Sequence, residues 1–279
     1  MIRLLALDMD GTLLDSNKRI LPGSLRALQR AENQGIQIVL STGRGIAELR
    51  QYLPELPFVR YGVLESGALV YDFIRREALR KLPLDPSAVS ACLDACEEMD
   101  AMPHFLTVTQ SVVRADQLPR MAEYGHGDFR PLFEAVCERT EDMQTYAAAH
   151  PEDILKVCMY HRTMEGRQRS RERLSGLGMD LRFSENHSLE ATCPGANKGE
   201  GLRALQARLG ILPEETAACG DADNDLEMLR LSGISFAMGN ASAHVRAAAG
   251  QTVRDNDSGG IEDAVDFILN EDAASRIQK

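Results

Sequence analysis

The sequence has no basic face. Over 279 residues the formal net charge is −11, and no Lys/Arg cluster of the kind nucleic-acid binders carry is present. The densest basic stretch, Arg167 to Arg173, alternates with Gln, Ser and Glu and reads as a solvated helix face. Nucleic acid is therefore not an expected partner. Nor is a membrane, because no apolar run reaches spanning length. The chain starts directly with a strand-like segment, so no secretory leader is expected. Cysteine is sparse and scattered: Cys92, Cys96, Cys137, Cys158, Cys193 and Cys219. Cys92 and Cys96 lie one helical turn apart, which suits neither a disulfide framework nor a zinc knuckle. Reduced, structural thiols point to the cytoplasm. There is no internal repeat and no low-complexity tract. The remainder is ordinary for a globular protein, with 44% apolar and 26% charged residues, and is long enough for one large domain or two modest ones.

Against that background the stretch Asp8-Met9-Asp10-Gly11-Thr12 stands out. It follows the apolar run Ile2 to Leu7, broken only by Arg3, which reads as a buried parallel strand ending at Asp8. If the strand continued, the two carboxylates would point the same way, two residues' rise or roughly 6.5 Å apart. Like charges that close repel unless a cation or a proton lies between them. The bland alternative is a strand terminus with two solvated acids and a turn.

A strand-helix rhythm continues from there. A helix is expected from Pro22 to Gln34, a buried strand over Ile36 to Leu40, a helix to about Leu53, and a strand over Phe58 to Leu64. A short hairpin follows. Pro83 and Pro86 then mark a change of character, and to about Ser184 the segments read as inserted α+β structure. From His187 the first rhythm returns. Strands are expected at His187–Ala191, Thr216–Cys219, Ile234–Ala237 and Thr252–Val253, and helices at Lys198–Leu209, Asp223–Leu231, Ala241–Ala249 and Ile261–Leu269. This alternation specifies an α/β fold with a doubly wound parallel sheet. The expected division is a core of residues 1–82 and 185–279 with an inserted α+β cap of residues 83–184.

Four polar clusters fall at strand ends or helix starts of that core: Asp8 with Asp10, Thr42 with Gly43, Lys198 after Pro194-Gly195-Ala196-Asn197, and Gly220 through Asp225. Singly each has a bland reading. Lys198 could be a solvated helix residue, Ser41-Thr42 an N-cap, and Asp221 to Asp225 a calcium-like acidic loop or a capped helix start. Together they offer carboxylates for a hard cation, a lysine, a hydroxyl and backbone N–H groups, as a phosphate dianion on Mg²⁺ requires. They also offer a carboxylate nucleophile. Attack on phosphorus would give an aspartyl-phosphate that water then cleaves.

With these motifs the chain resembles the haloacid dehalogenase superfamily of phosphohydrolases, most closely its Cof-type branch with a large cap inserted after the second motif. The residues that carry the likeness are Asp8-Met-Asp-Gly-Thr-Leu-Leu14, Ser41-Thr-Gly-Arg44, Gly195-Ala-Asn-Lys-Gly199, Gly220-Asp-Ala-Asp-Asn-Asp-Leu-Glu-Met-Leu229 and Ala237-Met-Gly-Asn-Ala241. The resemblance implies that Asp8 is the nucleophile and Asp10 the general acid/base. It implies that Thr42, Gly43 and Lys198 bind the transferring phosphoryl and that Asn224 orients the phosphate or its ligands. Asp8, the Asp10 carbonyl, Asp221 and Asp225 would hold Mg²⁺. Arg44 fits the second motif as a substrate contact or as a structural residue. Ser66-Gly67 stands where the family commonly has Asn-Gly.

The expected function is Mg²⁺-dependent hydrolysis of small phosphomonoesters, sugar phosphates or similar metabolites. A phosphomutase on the same scaffold and a non-enzymatic phospho-acceptor sensor fit the same motifs. Asp10 has no obvious use in a sensor that keeps its phosphate. The cap carries 11 basic and 17 acidic residues, which disfavours a polyanionic partner. His104, Tyr124, His126 and Arg162 are its polar candidates.

Overall fold

The computed structural model describes residues 1–184 and 187–277, the last six by backbone alone. The expected boundary at residue 185 and the final two residues lie outside them. The first strands in chain order are β1 (Leu4–Leu7), β2 (Gln37–Ser41), β3 (Tyr61–Leu64), β4 (Leu69–Asp72) and β5 (Glu77–Lys81). Next come β6 (Met102–Thr107), β7 (Ser111–Arg114), β8 (Glu138–Thr140), β9 (Ile154–Tyr160), β10 (Asp180–Phe183) and β11 (Ser188–Thr192). The last are β12 (Thr216–Gly220), β13 (Ile234–Ala237) and β14 (Gln251–Thr252).

By contacts the chain forms two units. The first comprises Met1–Gly43, Tyr52–Arg80 and Asn197–Lys279. Its sheet has the order β14-β13-β12-β1-β2-β3-β4-β5. The pairings from β14 to β3 are parallel, and β4 returns antiparallel on β3. Strand β1 sits in the middle, which is why its sequence is apolar on both faces. Leu4 and Ala6 pack with Val39 and Val63 against Leu202 and Leu205 of helix Lys198–Leu209. Leu5 and Leu7, equally buried, take the other face by strand alternation. There the helices Pro22–Asn33 and Gly260–Ile277 pack together. Each buried leucine contributes roughly 1.5–3 kcal/mol. These layers present the carboxyl ends of the parallel strands as one edge, where ligands of such sheets bind.

The second unit comprises Arg44–Gln51 and Lys81–Ala196. Its sheet, β10-β11-β9-β6-β7-β8, is antiparallel except for β7 on β8. One face packs Phe105, Val157, Met159 and Leu189 against Cys92, Leu93 and Cys96 of helix Pro86–Glu98. The other packs Met102, Val113 and Tyr160 against Leu118, Met121, Tyr124 and Phe133.

Three sequence expectations need correction. The strand expected at His187–Ala191 was counted with the parallel core, yet β11 pairs antiparallel with both β9 and β10. Leu189 and Ala191 are buried while Glu190 between them meets Lys156. That alternation marks an antiparallel strand with unlike faces. The helix expected to run to Leu53 is only Ile46–Leu49, with a separate 3₁₀ turn at Leu53–Glu55 where Pro54 removes a donor. This segment and Arg44 group with the second unit. Finally, the chain leaves the sheet at Leu7 and turns at once, with Leu13 N donating to Asp8 O at 3.2 Å and Leu14 N to Met9 O at 2.8 Å. Asp8 and Asp10 therefore do not share the side of one strand.

The cap's four polar candidates all have partners within their unit. His104 is buried between the Tyr160 hydroxyl and Ser111 Oγ. His126 stacks on Phe129 and Tyr160. The Tyr124 ring lies under Arg162, which also pairs with Asp100 and Glu123.

Candidate active site

Asp8 follows β1, Lys198 opens the helix behind Asn197, and Asp221 and Asp225 follow β12. The fold brings these four together. Lys198 Nζ donates to Asp8 Oδ1 at 2.5 Å and to Asp225 Oδ1 at 2.6 Å. Lys198 and Asp225 are fully buried and Asp8 nearly so. A buried lysine needs such partners, because an unpaired ammonium would cost several kcal/mol. Asp225 Oδ2 accepts from the backbone N–H groups of Asp221, at 3.0 Å, and Ala222, at 3.1 Å. This loop therefore fixes Asp225, and Asp225 fixes the lysine. Asn197 caps the helix by accepting from Glu200 N at 2.8 Å, so Lys198 is the first helical residue.

Carboxylate oxygens of Asp8, Asp221 and Asp225 all lie within 4.8 Å of one another. Three acids face one ammonium. Burial holds the Asp8 carboxyl well above its usual range. Lys198 pulls it back, and Asp225 and Asp221 add to the rise. The Asp221 carboxyl is raised too, by burial and then by Asp225. Burial would lower Lys198, but Asp225 and Asp8 outweigh it and keep the ammonium charged. A site that pushes its carboxyls up in this way is short of positive charge. Its donors are all hard oxygens, the set that Mg²⁺ takes. The residues therefore fit a hard divalent cation.

Thr42 is set at the end of β2 by its backbone: its N–H donates to Val63 O at 2.8 Å, and its carbonyl accepts from Ser66 N at 3.0 Å. Gly43 follows it. Ser66 and Glu65 both adopt positive φ, 58° and 52°, ahead of Gly67 at 94°. Asn tolerates that left-handed region better than Ser does, which gives the family's usual Asn-Gly a backbone reason. Gly67 is required on its own account, since a Cβ there would run into the Asn197 backbone. Asn224 lies in the 3₁₀ turn Asp223–Asp225, and its buried Oδ1 has no hydrogen-bond partner among the described residues. An orphan of that kind is what a ligand satisfies. Asp10 is not drawn into the acidic group. Its Oδ1 accepts from Lys18 Nζ at 2.7 Å, in a half-exposed pair.

Two supporting residues escaped the sequence reading. Thr12 Oγ1 donates to Asp221 Oδ1 at 2.9 Å. Asn240 Nδ2 donates to Gly11 O at 2.8 Å and approaches Asp221 Oδ2 at 3.4 Å. Both aim Asp221. Thr12 and Asn240 sit inside motifs already singled out, and polar residues just beyond β1 and β13 were the available signal.

A family model for haloacid dehalogenase-like hydrolases matches residues 5–265. The chain belongs to that family. It falls in the Cof-type branch and is a phosphatase. A pyridoxal phosphate phosphatase of Escherichia coli is 29% identical over 272 residues, covering 93% of this chain and 96% of the relative. An HMP-PP phosphatase of Cronobacter sakazakii is 30% identical over 247 residues, covering 88% of each. The crystal structure of a haloacid dehalogenase-like hydrolase from Bacteroides thetaiotaomicron superposes with a TM-score of 0.84 at 25% identity, covering 96% of this chain and 100% of that one. Relatives in this family are named as phosphatases of small phosphorylated metabolites, pyridoxal phosphate and HMP-PP among them. No helix among the described residues is long and apolar enough to cross a membrane.

Proposed function

We propose that this phosphatase hydrolyses small phosphomonoesters, sugar phosphates or similar metabolites, through a phosphoryl group carried on Asp8. The observation that carries the reading is the buried Lys198 held at once by Asp8 and Asp225, with Asp221 beside them. A buried carboxylate beside an ammonium and two more acids is costly as a structural device. As a place for a phosphate dianion it is well made.

In the proposed reaction the substrate phosphoryl lies against Asp8. Lys198, Thr42 and the Gly43 backbone take its oxygens, and Asn224 orients it. Asp8, the Asp10 carbonyl, Asp221 and Asp225 would hold Mg²⁺, whose contribution when bound is to neutralise charge on the phosphoryl oxygens and the acids. An Asp8 oxygen forms a bond to phosphorus as the ester oxygen leaves. Asp10 gives that oxygen a proton. Asp10 then takes a proton from the water that attacks the phosphorylated Asp8, so phosphate departs and both acids are restored. Transfer of this type needs mainly positioning and charge neutralisation. Proton help is typically worth about 10² to 10⁴ in rate.

Substrate choice is assigned to the second unit, expected at residues 83–184, because the four phosphate motifs belong to the first. Grafting the corresponding segment of the E. coli relative should carry that relative's preference with it. A graft that keeps the parent's preference would sink the assignment. We place the enzyme in the cytoplasm, in keeping with six cysteines that form no disulfide among the described residues. The reading as a whole is tested by phosphate release from a panel of phosphorylated metabolites with Mg²⁺ and with EDTA. Turnover on small monoesters that EDTA abolishes is expected. Full activity in EDTA would overturn the metal assignment.

A further inference from the structure

Asp10 has to reach the ester oxygen next to Asp8, yet its carboxylate is engaged elsewhere, at 2.7 Å from the Lys18 ammonium. Lys18 is not a loosely attached surface lysine. It sits at the tip of a tight turn in which Asp15 N donates to Arg19 O at 2.8 Å and Lys18 N to Asp15 O at 2.9 Å. Asp15 Oδ1 accepts from Asn17 N and Arg19 N, both at 2.8 Å, and closes the turn from inside. Lys18 itself has φ +59°, a left-handed conformation in which Gly or Asn would be at ease and a long side chain is not. Its carbonyl accepts from the buried Tyr52 hydroxyl at 3.2 Å. The backbone is thus held in an uncommon conformation at a residue whose ammonium meets Asp10. Strain that its surroundings enforce is the kind of outlier from which function can be sought.

We propose that Lys18 is the positioning residue of Asp10, a latch that holds the ionised carboxylate off Asp8; on leaving Lys18, Asp10 takes a proton from solvent and carries it to the ester oxygen. This rests on the acid/base reading of Asp10 given above. The side chains are 48% and 38% exposed, and a pair that wet is worth only about 0.2–1 kcal/mol. A latch of that strength biases Asp10 without locking it. Opening it therefore releases a factor of about 1.4 to 5 in rate, far less than Asp10 itself supplies.

The test is a double-mutant cycle on glycerol phosphate and p-nitrophenyl phosphate, with Lys18→Met, Lys18→Arg, Asp10→Asn and Lys18→Met combined with Asp10→Asn. Lys18→Met should raise kcat on the alkyl ester by about 1.4- to 5-fold. It should move kcat on the aryl ester, whose leaving group needs no proton, by less. Lys18→Arg should stay near the parent. With Asp10→Asn present the Lys18 effect should vanish, since a residue acting through another has nothing left to act on. An unchanged or lower kcat for Lys18→Met, or the same fold-change with and without Asp10, would overturn the latch. Asp10→Asn with parental turnover on glycerol phosphate would instead overturn the acid/base reading beneath it.

Discussion

Replacing the Asp8 carboxylate by an amide separates what that side chain does for the reaction from what it costs the fold. Burial and two neighbouring acids hold its carboxyl well above the usual range, so the ionised form is a burden on the metal-free protein. Lys198 keeps Asp225 as a partner when Asp8 is neutralised. Asp8→Asn should therefore abolish turnover while the protein, in EDTA, melts at or above the parent's temperature. A melt several degrees lower would mean that Asp8 is needed to hold Lys198. These residues were legible because their chemistry is local: acids, a lysine and glycines at strand ends are odd choices for stability alone. Thr12 and Asn240 were not, since a hydroxyl and an amide next to a motif look the same whether they aim a carboxylate or face water. The Asp10–Lys18 pair was not either, because it depends on how a turn closes.

At the level of elements, the turn after β1 is the part the site depends on most. Gly11 has φ +82° there, and a Cβ on it would strike the Asp221 carboxylate. Gly11→Ala should cost about 1–2 kcal/mol in backbone strain and push Asp221 off its Thr12 and Asn240 partners. The expected result is a melting temperature a few degrees lower and a raised Mg²⁺ requirement in a titration of activity. An unaltered Mg²⁺ requirement would show that Asp221 can be moved without consequence. The strands of the first unit were readable from their apolar runs and bounding turns; Ile234–Ala237 and the helix Lys198–Leu209 fall where the pattern put them. Strand β11 was misplaced because the sheet a strand joins is decided by long-range pairing. Its own alternation, Leu189 and Ala191 in with Glu190 out, was the available clue.

Over the whole molecule, acid should weaken the second unit from about pH 6.5 downward. Burial, then His126 and Lys156, push the His104 imidazole down to about 3. In the unfolded chain it titrates near 6.5. Below that pH the unfolded state binds a proton that the folded state refuses, so stability falls as pH falls from about 6.5. The slope reaches at most about 1.4 kcal/mol per pH unit from this residue. His161, lowered to about 4 chiefly by burial, acts in the same direction. Calorimetric melts between pH 7 and 5 should show the decline, and His104→Gln should make it shallower. An unchanged slope would assign the acid sensitivity elsewhere.

The central claim is that phosphate passes through Asp8, and it can be weighed directly. Asp10→Asn enzyme mixed with p-nitrophenyl phosphate and Mg²⁺, then quenched in acid, should show by intact mass one added phosphoryl group, which peptide mapping places on Asp8. Its first step needs no proton donor, while its second has lost the base. The same mixture made with Asp8→Asn should show no adduct and no released phosphate. Phosphate release by Asp8→Asn at the parental rate, or an adduct mapped to any other residue, would contradict the account.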